Sequence, residues 1–252
     1  TEVELFRSLA PHPHVARFYG AHCTPSQLAL SLELLSGGDV LGEIERTGHA
    51  LPQTRARLFF GQLASALAHL HANGWVHRDV KLENMCLARG GDSISLLDFG
   101  CAARCGKKSV LEGFCGTPEY VAPEVASWWG WVHKAAPGRP YGQPADAWSL
   151  GGCLYIMLSG RALWDQQLPP DELLPSISAS GDVSLRGLPG GLPPSLIGLL
   201  TELLRGDPAA RLTAAGACAH AWVVGSRASS PGTGAVAAAR SDASVAAAVP
   251  AA

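Results

Sequence analysis

The residues His77 to Asn84, HRDVKLEN, combine side chains that suit phosphoryl transfer. Asp79 can accept the proton of an attacking hydroxyl and aim its lone pair at a phosphate. Lys81 follows on the same side of an extended loop, where its ammonium can neutralise charge on the transferred group. Asn84 is a hard oxygen donor, the type that magnesium accepts. A single Asp near a Lys could be a solvated loop pair, but eight residues in this order favour a transfer site.

A second acid, Asp98 of the sequence DFG, is predicted to lie beside Asn84. The segments Met85 to Leu87 and Ser93 to Leu97 resemble short strands, and Arg89 to Asp92 have the composition of a turn. Because a hairpin returns the chain, Asp98 should finish near Asn84. Two oxygen ligands then face one magnesium ion.

Composition limits the class of protein. The 252 residues are 47% hydrophobic, which is enough for one large core or two lobes. A net charge of −2 does not mark a nucleic-acid binder. Seven cysteines, odd in number and without CxxC spacing, favour a reduced intracellular compartment. No apolar run approaches the ~20 residues that span a bilayer. We expect a cytoplasmic monomer without nucleic-acid or membrane partners.

Several elements must position these residues. The hydrophobic spacing predicts helices over residues 2–9, Val40 to Thr47, Gln53 to Ala72, Ala145 to Leu158, Ser195 to Leu204 and Thr213 to His220. Strands are predicted over Val15 to Gly20 and Leu28 to Leu35. The helix over Ala145 to Leu158 is nearly all apolar, so it should be a buried scaffold. Asn73-Gly74 should end the helix over Gln53 to Ala72, and Thr213 should cap the helix that ends at His220.

The chain resembles a eukaryotic Ser/Thr protein kinase domain from about residue 2 to about residue 224. The sequence GTPEYVAPE, Gly116 to Glu124, matches the end of the family's activation segment, and DAWSLGG, Asp146 to Gly152, matches its central helix. Lys81, with Thr117 in its GTPEY context, is similar to the Ser/Thr branch. This resemblance implies an α+β, protein-kinase-like fold with a mainly helical large lobe, ATP and Mg²⁺ as cofactors, and protein hydroxyls as substrates.

Two shorter segments resemble the calcium/calmodulin-dependent kinase group. These are GGDVLGEI, Gly37 to Ile44, and AHAWV, Ala219 to Val223. The tail has no EF-hand loop and no basic amphipathic helix for calmodulin. The family also implies a structural pair of Glu124 with Arg211. Residues 126–140 resemble an insertion, whose three tryptophans either form a partner surface or pack on the lobe.

The resemblance also implies a domain organisation. Residues 1–35 correspond to a remnant of the small lobe, residues 36–225 to the large lobe, and residues 226–252 to a disordered tail rich in Ala, Ser and Gly. Neither a GxGxxG loop nor a VAIK-type lysine precedes the catalytic loop. Glu2 aligns with the usual partner of that lysine, and here is better described as an exposed first-turn acid. We expect an N-terminally truncated fragment with an incomplete small β lobe and weak activity or none.

The nucleotide site carries over position by position. By resemblance, Leu32 is the gatekeeper beside the adenine pocket, and Glu33 to Leu35 supply hinge backbone groups. Cys86 lies under the purine, and Asp39 reaches the ribose. His77 belongs to the stack that joins the two lobes, so we expect a packed core residue there and not a base. The stack consists of Phe6, Phe18, His77 and Phe99.

The substrate side is predicted in the same way. Its residues are Asp39, Glu83, Phe114, Thr117, Pro118 and Val121. In arginine-directed relatives, acids at positions 39 and 83 bind a basic side chain upstream of the phosphorylated residue, because charge-assisted pairing requires acids. The alternative for Glu83 is simple solvation. Phe114, Pro118 and Val121 would line an apolar pocket for the following substrate residue.

Regulation departs from the family pattern at one position. Arg78 usually meets a phosphate on the activation segment, but Gly113 occupies the position of the phosphorylated threonine in many relatives. Either Glu112 supplies permanent negative charge or Ser109 is the modified residue. We expect activity without activation-segment phosphorylation.

Three hypotheses remain. The first is an ATP- and magnesium-dependent Ser/Thr protein kinase, favoured by the joint presence of Asp79, Lys81, Asn84 and Asp98. The second is a non-catalytic pseudokinase or scaffold, favoured by the missing phosphate-gripping parts. The third is a small-molecule phosphotransferase, disfavoured because the APE segment and the DAW helix build a peptide-docking platform.

Overall fold

A computed structural model describes residues 2–24, 26–106, 110–132 and 137–225. The helices are α1 (Glu2–Ser8), α2 (Val40–Thr47), α3 (Gln53–Ala72), α4 (Pro123–Val132), α5 (Pro144–Ser159), α6 (Pro170–Ala179), α7 (Pro194–Leu203), α8 (Ala214–Ala219) and α9 (Ala221–Val224). The strands are β1 (Phe18–Cys23), β2 (Leu28–Leu32), β3 (Trp75–Val76), β4 (Met85–Leu87), β5 (Ile94–Leu96) and β6 (Ala103–Arg104). The α+β prediction, with a mainly helical body, is confirmed. Ser109 and the predicted tail 226–252 lie outside the described residues.

The central helix α5 is buried along almost its whole length, as its composition predicts. A helix that is apolar on every side has no face for water, so neighbours must cover it completely. Helices α3, α7 and α8 supply that cover. A Cβ on Gly151 would lie 3.0 Å from the side chains of Leu203 and Leu204, so glycine allows the close approach to α7.

Helix α3 has the predicted bounds, and its stop signal works as expected. Phe59, Leu63 and Leu67 are fully buried on one face. After Asn73, the chain turns through Gly74 in the left-handed region, at φ 75°. This turn leads directly into β3 and then into the catalytic loop, the segment His77 to Asn84.

The predicted hairpin forms from β4 and β5, which pair antiparallel with Met85 opposite Leu96. Gly90 and Gly91 have positive φ in the turn. Strand β3 pairs with β6, which places the segment after DFG beside the segment before HRD. The two small sheets therefore frame the catalytic loop from both sides.

The first predicted strand is displaced. Strand β1 begins at Phe18 rather than Val15, and β2 ends at Leu32 rather than Leu35. Val15 instead makes a parallel bridge to Leu96, where the N–H of Ala16 donates to the Leu96 carbonyl at 3.0 Å. Residues 14–16 thus extend the sheet of the large lobe. The β1–β2 hairpin contains no fully buried residue, as expected for an incomplete small lobe.

The first part of the predicted insertion, residues 126–132, lies in α4. Trp128 is buried, and its indole N–H donates to the carbonyl of Arg139 at 2.8 Å. Trp129 stacks edge-on with Phe114 at 5.6 Å between ring centroids. These two tryptophans pack on the lobe, and the side chain of Trp131 lies outside the described part.

Glu124 and Arg211 form a buried, two-pronged ion pair. The guanidinium donates from Nη1 to Oε1 at 2.7 Å and from Nη2 to Oε2 at 3.1 Å. Nη1 also donates to the carbonyl of Pro144 at the start of α5. The pair therefore joins three distant segments: the end of the GTPEY stretch, the central helix and the DPAARLT loop.

Replacing Arg211 with lysine should destabilise the chain by about 2–3 kcal/mol, because an ammonium cannot reproduce the planar fork in a buried site. The matched control is Arg104→Lys in the exposed pair with Glu4, for which we expect less than about 0.5 kcal/mol. Chemical denaturation of both variants measures this difference. Equal effects at the two positions would contradict a structural role for the buried pair.

Candidate active site

Asp146, on the first turn of α5, holds the backbone of the catalytic loop. Its Oδ2 accepts from the backbone N–H of His77 and from His71 Nε2, and its Oδ1 accepts from the N–H of Arg78, each at 2.8 Å. Burial alone would raise the pKa of Asp146, but the hydrogen bond and charge of His71 outweigh it, so the pKa is lowered. The ionised acid fixes two consecutive residues, and Arg78 adopts a left-handed φ of 69°.

His77 lies at the centre of the loop in one defined tautomer. Its Nδ1 accepts from the N–H of Asp79 at 3.2 Å, so Nε2 carries the hydrogen and donates to the Leu97 carbonyl at 3.1 Å. Burial lowers the pKa of His77, which keeps the ring neutral. The neutral imidazole makes one hydrogen bond through each ring nitrogen, and so it connects the catalytic loop to the DFG stretch at a fixed distance. Sequence reasoning assigned the same packed position.

The aromatic stack runs without a break from the small lobe to the loop. Phe6 stacks on Phe18 with centroids 5.0 Å apart, and meets Phe99 edge-on at 5.1 Å. Phe99 in turn meets His77 at 5.1 Å. Edge and offset contacts of this kind are favourable beyond their buried area. Helix α1 is therefore in direct contact with the DFG residue next to Asp98.

Asp79, Lys81 and Thr117 form one hydrogen-bonded cluster. Asp79 Oδ1 accepts from the Thr117 N–H at 2.9 Å and from its hydroxyl at 2.7 Å. Lys81 Nζ lies 3.1 Å from Asp79 Oδ2 and donates to Thr117 Oγ1 at 2.9 Å. Burial alone would lower the pKa of Lys81, but the hydrogen bond to Asp79 raises it. The cluster fixes the plane of the carboxylate and keeps a cation beside it.

Asn84 and Asp98 are brought together by the hairpin. Asn84 Nδ2 donates to the Asp79 carbonyl at 2.9 Å, which fixes the amide, and the N–H of Leu97 donates to the Asn84 carbonyl at 2.9 Å. Asp98 follows Leu97 directly, is exposed, and has a left-handed φ of 59°. Strained backbone of this type concentrates at functional sites. Within the described residues no three His, Cys, Asp or Glu side chains could hold a metal ion.

One acid and one amide suit Mg²⁺, which keeps several waters and takes further ligands from phosphates. The donor set of Asn84 and Asp98 therefore fits this ion, whereas a closed all-protein cage would not be expected for it.

The predicted nucleotide residues line the junction between β2, β4 and α2. Leu32 ends β2, Glu33 to Leu35 follow it, and Cys86 lies in β4. Asp39 forms an antiparallel bridge with Cys86. One Asp39 oxygen caps α2 by accepting from the Gly42 N–H at 2.8 Å. This capping role was not predicted from the sequence.

The junction after β2 is also fixed by backbone bonds. The N–H of Gly37 donates to the Leu87 carbonyl at 3.0 Å, and the N–H of Leu87 donates to the Gly38 carbonyl at 2.8 Å. A Cβ on Gly37 would lie 2.7 Å from the Leu87 Cβ, so a larger residue would force the two segments apart.

The predicted substrate-side residues differ in how far they are exposed. Glu83 accepts from the Tyr120 hydroxyl at 3.1 Å through Oε2, and burial raises the pKa of Tyr120. Val121 is buried, with 4% exposure, whereas Phe114 and Pro118 remain partly exposed. A cleft of about 430 Å³ adjoins Glu83 and Thr117. It is lined by the acids Glu45, Glu83 and Glu119 and by apolar residues including Leu41, Ile44 and Ile156.

Sequence reasoning missed three residues that support the site. His71 completes the set of donors on Asp146. Tyr141 accepts from Arg78 Nη1 at 3.3 Å and donates to the Gly113 carbonyl at 3.0 Å. Tyr120 orients Glu83. For His71, the available signal was a histidine in the last turn of α3, together with an acid at the start of α5.

Known proteins match almost the whole chain. The family model for the protein kinase domain matches residues 1–223. A probable myosin light chain kinase of Dictyostelium discoideum is 34% identical over 228 residues, which are 89% of this chain and 68% of that protein. NUAK family SNF1-like kinase 2 of Rattus norvegicus is 34% identical over 223 residues, 88% of this chain and 32% of the rat protein. Serine/threonine-protein kinase grp of Drosophila melanogaster is 36% identical over 212 residues, 83% and 39% of the two chains. The chain thus spans about a third of the last two relatives.

Replacing Asp146 with asparagine should destabilise the chain by about 3 kcal/mol, because an amide offers one acceptor oxygen where three buried donors require a carboxylate. Thermal or chemical unfolding measures the change. The control is Asp92→Asn in the exposed hairpin turn, which should be nearly neutral. A neutral effect at Asp146 would show that the loop is held by other contacts.

Proposed function

The chain belongs to the protein kinase domain family, and we propose that it transfers the γ-phosphoryl group of ATP to serine or threonine hydroxyls of proteins. The observation that carries this proposal is the cluster of Asp79, Lys81 and Thr117 next to the paired oxygen donors Asn84 and Asp98. The curated relatives include proteins named as serine/threonine kinases.

In this proposal Asp79 accepts the proton of the substrate hydroxyl and orients its lone pair. Thr117 holds the Asp79 carboxylate in place through its N–H and hydroxyl. Lys81 stabilises negative charge that develops on the transferred group. Asn84 and Asp98 would hold Mg²⁺, and bound Mg-ATP supplies the phosphoryl group. Leu32, Glu33, Leu35, Asp39 and Cys86 would form the nucleotide side.

The domain organisation is proposed on the same basis. Residues 1–35 would be the remnant of a small lobe, and residues 36–225 the large lobe. Within the part of the chain that the structure describes, no helix is both long and apolar enough to cross a membrane. Among kinases, we infer that the chain is most similar to the calcium/calmodulin-dependent group. The segments Gly37 to Ile44 and Ala219 to Val223 support this inference.

Substrate selection is proposed to depend on the acidic cleft beside Thr117. Its acids Glu83, Glu45 and Glu119 offer charge partners, and Leu41 and Ile44 offer an apolar wall for an aliphatic stem. An arginine side chain has both parts. We therefore propose protein substrates with a basic residue upstream of the phosphorylated Ser or Thr.

The proposed activity is tested on the intact protein expressed from the full reading frame, with the 252-residue chain measured beside it. Asp79→Asn should lower kcat for phosphate transfer from ATP to a Ser/Thr peptide by about 100-fold or more, because the base is lost. The melting temperature and the exposed-turn variant Asp92→Asn serve as controls.

Transfer by the intact protein that does not respond to Asp79→Asn would contradict the assigned base. Binding of ATP without any transfer, under magnesium, would favour the pseudokinase or scaffold alternative.

Substrate selection is tested with two peptides that differ only in an upstream Arg or Ala. Glu83→Gln should raise KM for the Arg peptide by about tenfold with little change in kcat, because a charge-assisted contact is removed from binding. KM for the Ala peptide should not change. The exposed Glu172 on α6 provides the control variant Glu172→Gln. An equal KM for both peptides with the unmodified enzyme would end the proposal of basic selection.

A further inference from the structure

Two cysteine thiols meet at the two ends of the segment that follows DFG. Cys101 comes directly after Gly100, and Cys115 lies two residues before Thr117. Their sulfur atoms are 2.8 Å apart, and both side chains are partly exposed. Sulfur atoms in a disulfide are about 2.05 Å apart. The pair is therefore close to bonding distance without any rearrangement of the surrounding chain.

The residues around the pair hold both thiols in this position. Arg78 Nε donates to the Cys101 carbonyl, and the guanidinium interacts electrostatically with both thiols. Tyr141 holds the end of the segment near Cys115. Its hydroxyl donates to the Gly113 carbonyl, and its backbone exchanges two hydrogen bonds with Leu111. Arg78 and Tyr141 therefore hold the two ends of the segment.

The position of the pair is where the family resemblance predicts a phosphate. Arg78 is the arginine that usually meets phosphate on the activation segment, and Gly113 replaces the residue that would carry it. Here the same arginine instead contacts the two thiols and Tyr141. A covalent event at the thiols would therefore act on the same arginine as a phosphate would.

We propose that Cys101 and Cys115 are a reversible oxidation site that forms an intramolecular disulfide with hydrogen peroxide or a related hydroperoxide. The thiolate of one cysteine attacks one peroxide oxygen, which gives a sulfenic acid on that cysteine and releases hydroxide. The sulfur of the other cysteine then attacks the sulfenic sulfur, forming the S–S bond and displacing the sulfenic oxygen as water. In total, two thiols and one H₂O₂ give one disulfide and two waters, so two thiols are oxidised and the peroxide is reduced.

The contact geometry already brings one sulfur to the other, so whichever thiol is oxidised first has its resolving partner at 2.8 Å.

The disulfide would close a loop around residues 102–114, between the DFG sequence and Thr117. Because the sulfur atoms must approach by less than ~1 Å, the bond should fix the present arrangement of the segment rather than dismantle it. The oxidised protein would keep Asp98 and Thr117 at their present separation. Reduction would remove this covalent link and leave the hydrogen bonds of Arg78 and Tyr141 at the two ends of the segment.

The test uses the full chain, treated with hydrogen peroxide, blocked with a thiol alkylating agent and digested with trypsin without reduction. Cys101 and Cys115 fall in separate tryptic peptides, residues 90–104 and 109–134, and Cys105 falls in a third. We expect the first two peptides joined, with the loss of two hydrogens, and separated again by dithiothreitol. Mass spectrometry gives this result without any assay of phosphate transfer, so its outcome is independent of the proposed kinase activity.

Three variants make the assignment specific. Cys101→Ser and Cys115→Ser should each reduce the joined peptide at least tenfold, whereas Cys23→Ser, at an exposed thiol on β1, should leave it unchanged. If the serine variants do not fold, the unmodified chain and Cys23→Ser still decide the matter. Pairing of either cysteine with another partner, or oxidation of both to sulfinic acid without a joined peptide, would overturn the proposal.

Discussion

The catalytic loop depends on one buried carboxylate. Asp146 receives two consecutive backbone N–H groups and one imidazole N–H, and together these donors replace the water that an ionised acid loses on burial. The constraint has two sides. The acid can stay charged only if the loop takes this path, and the loop can place Arg78 in a left-handed conformation only because the acid binds its N–H. The apolar helix α5 must be buried to bring the acid there, so the hydrophobic core and the site form together.

The remaining site residues are positioned by segments that are distant in sequence. Thr117 comes from the end of the activation segment and fixes the Asp79 carboxylate, while Leu97 fixes Asn84 through the backbone. His77 links these halves, since it accepts from the N–H of Asp79 and donates to Leu97. A displacement of the DFG stretch would therefore reach Asp79 through the His77 ring and through Asn84.

Sequence patterns predicted the elements whose signals are local. Helix α3 and its Asn73-Gly74 stop, the apolar helix α5, the β4–β5 hairpin and the Thr213 cap are all confirmed, because spacing, turn composition and capping act within a few residues. The errors arose where distant contacts decide. Val15 pairs with Leu96 in the large lobe instead of starting β1, and β2 ends at Leu32 instead of Leu35. The roles of His71 and Tyr141 depend on partners about 30 to 75 residues away. Cysteine counting predicted only a reduced compartment, since the approach of Cys101 to Cys115 exists only after the segment has folded back.

Backbone hydrogen bonds join the chain on either side of the β1–β2 hairpin to the large lobe at two short stretches. At one, Ala16 bonds to Leu96, and at the other, Gly37 bonds to Leu87. The N–H of Glu33 also donates to the Arg17 carbonyl at 2.8 Å, which ties the two crossings to each other. Because these links are backbone hydrogen bonds in fixed register, the hairpin cannot slide along the large lobe without breaking them.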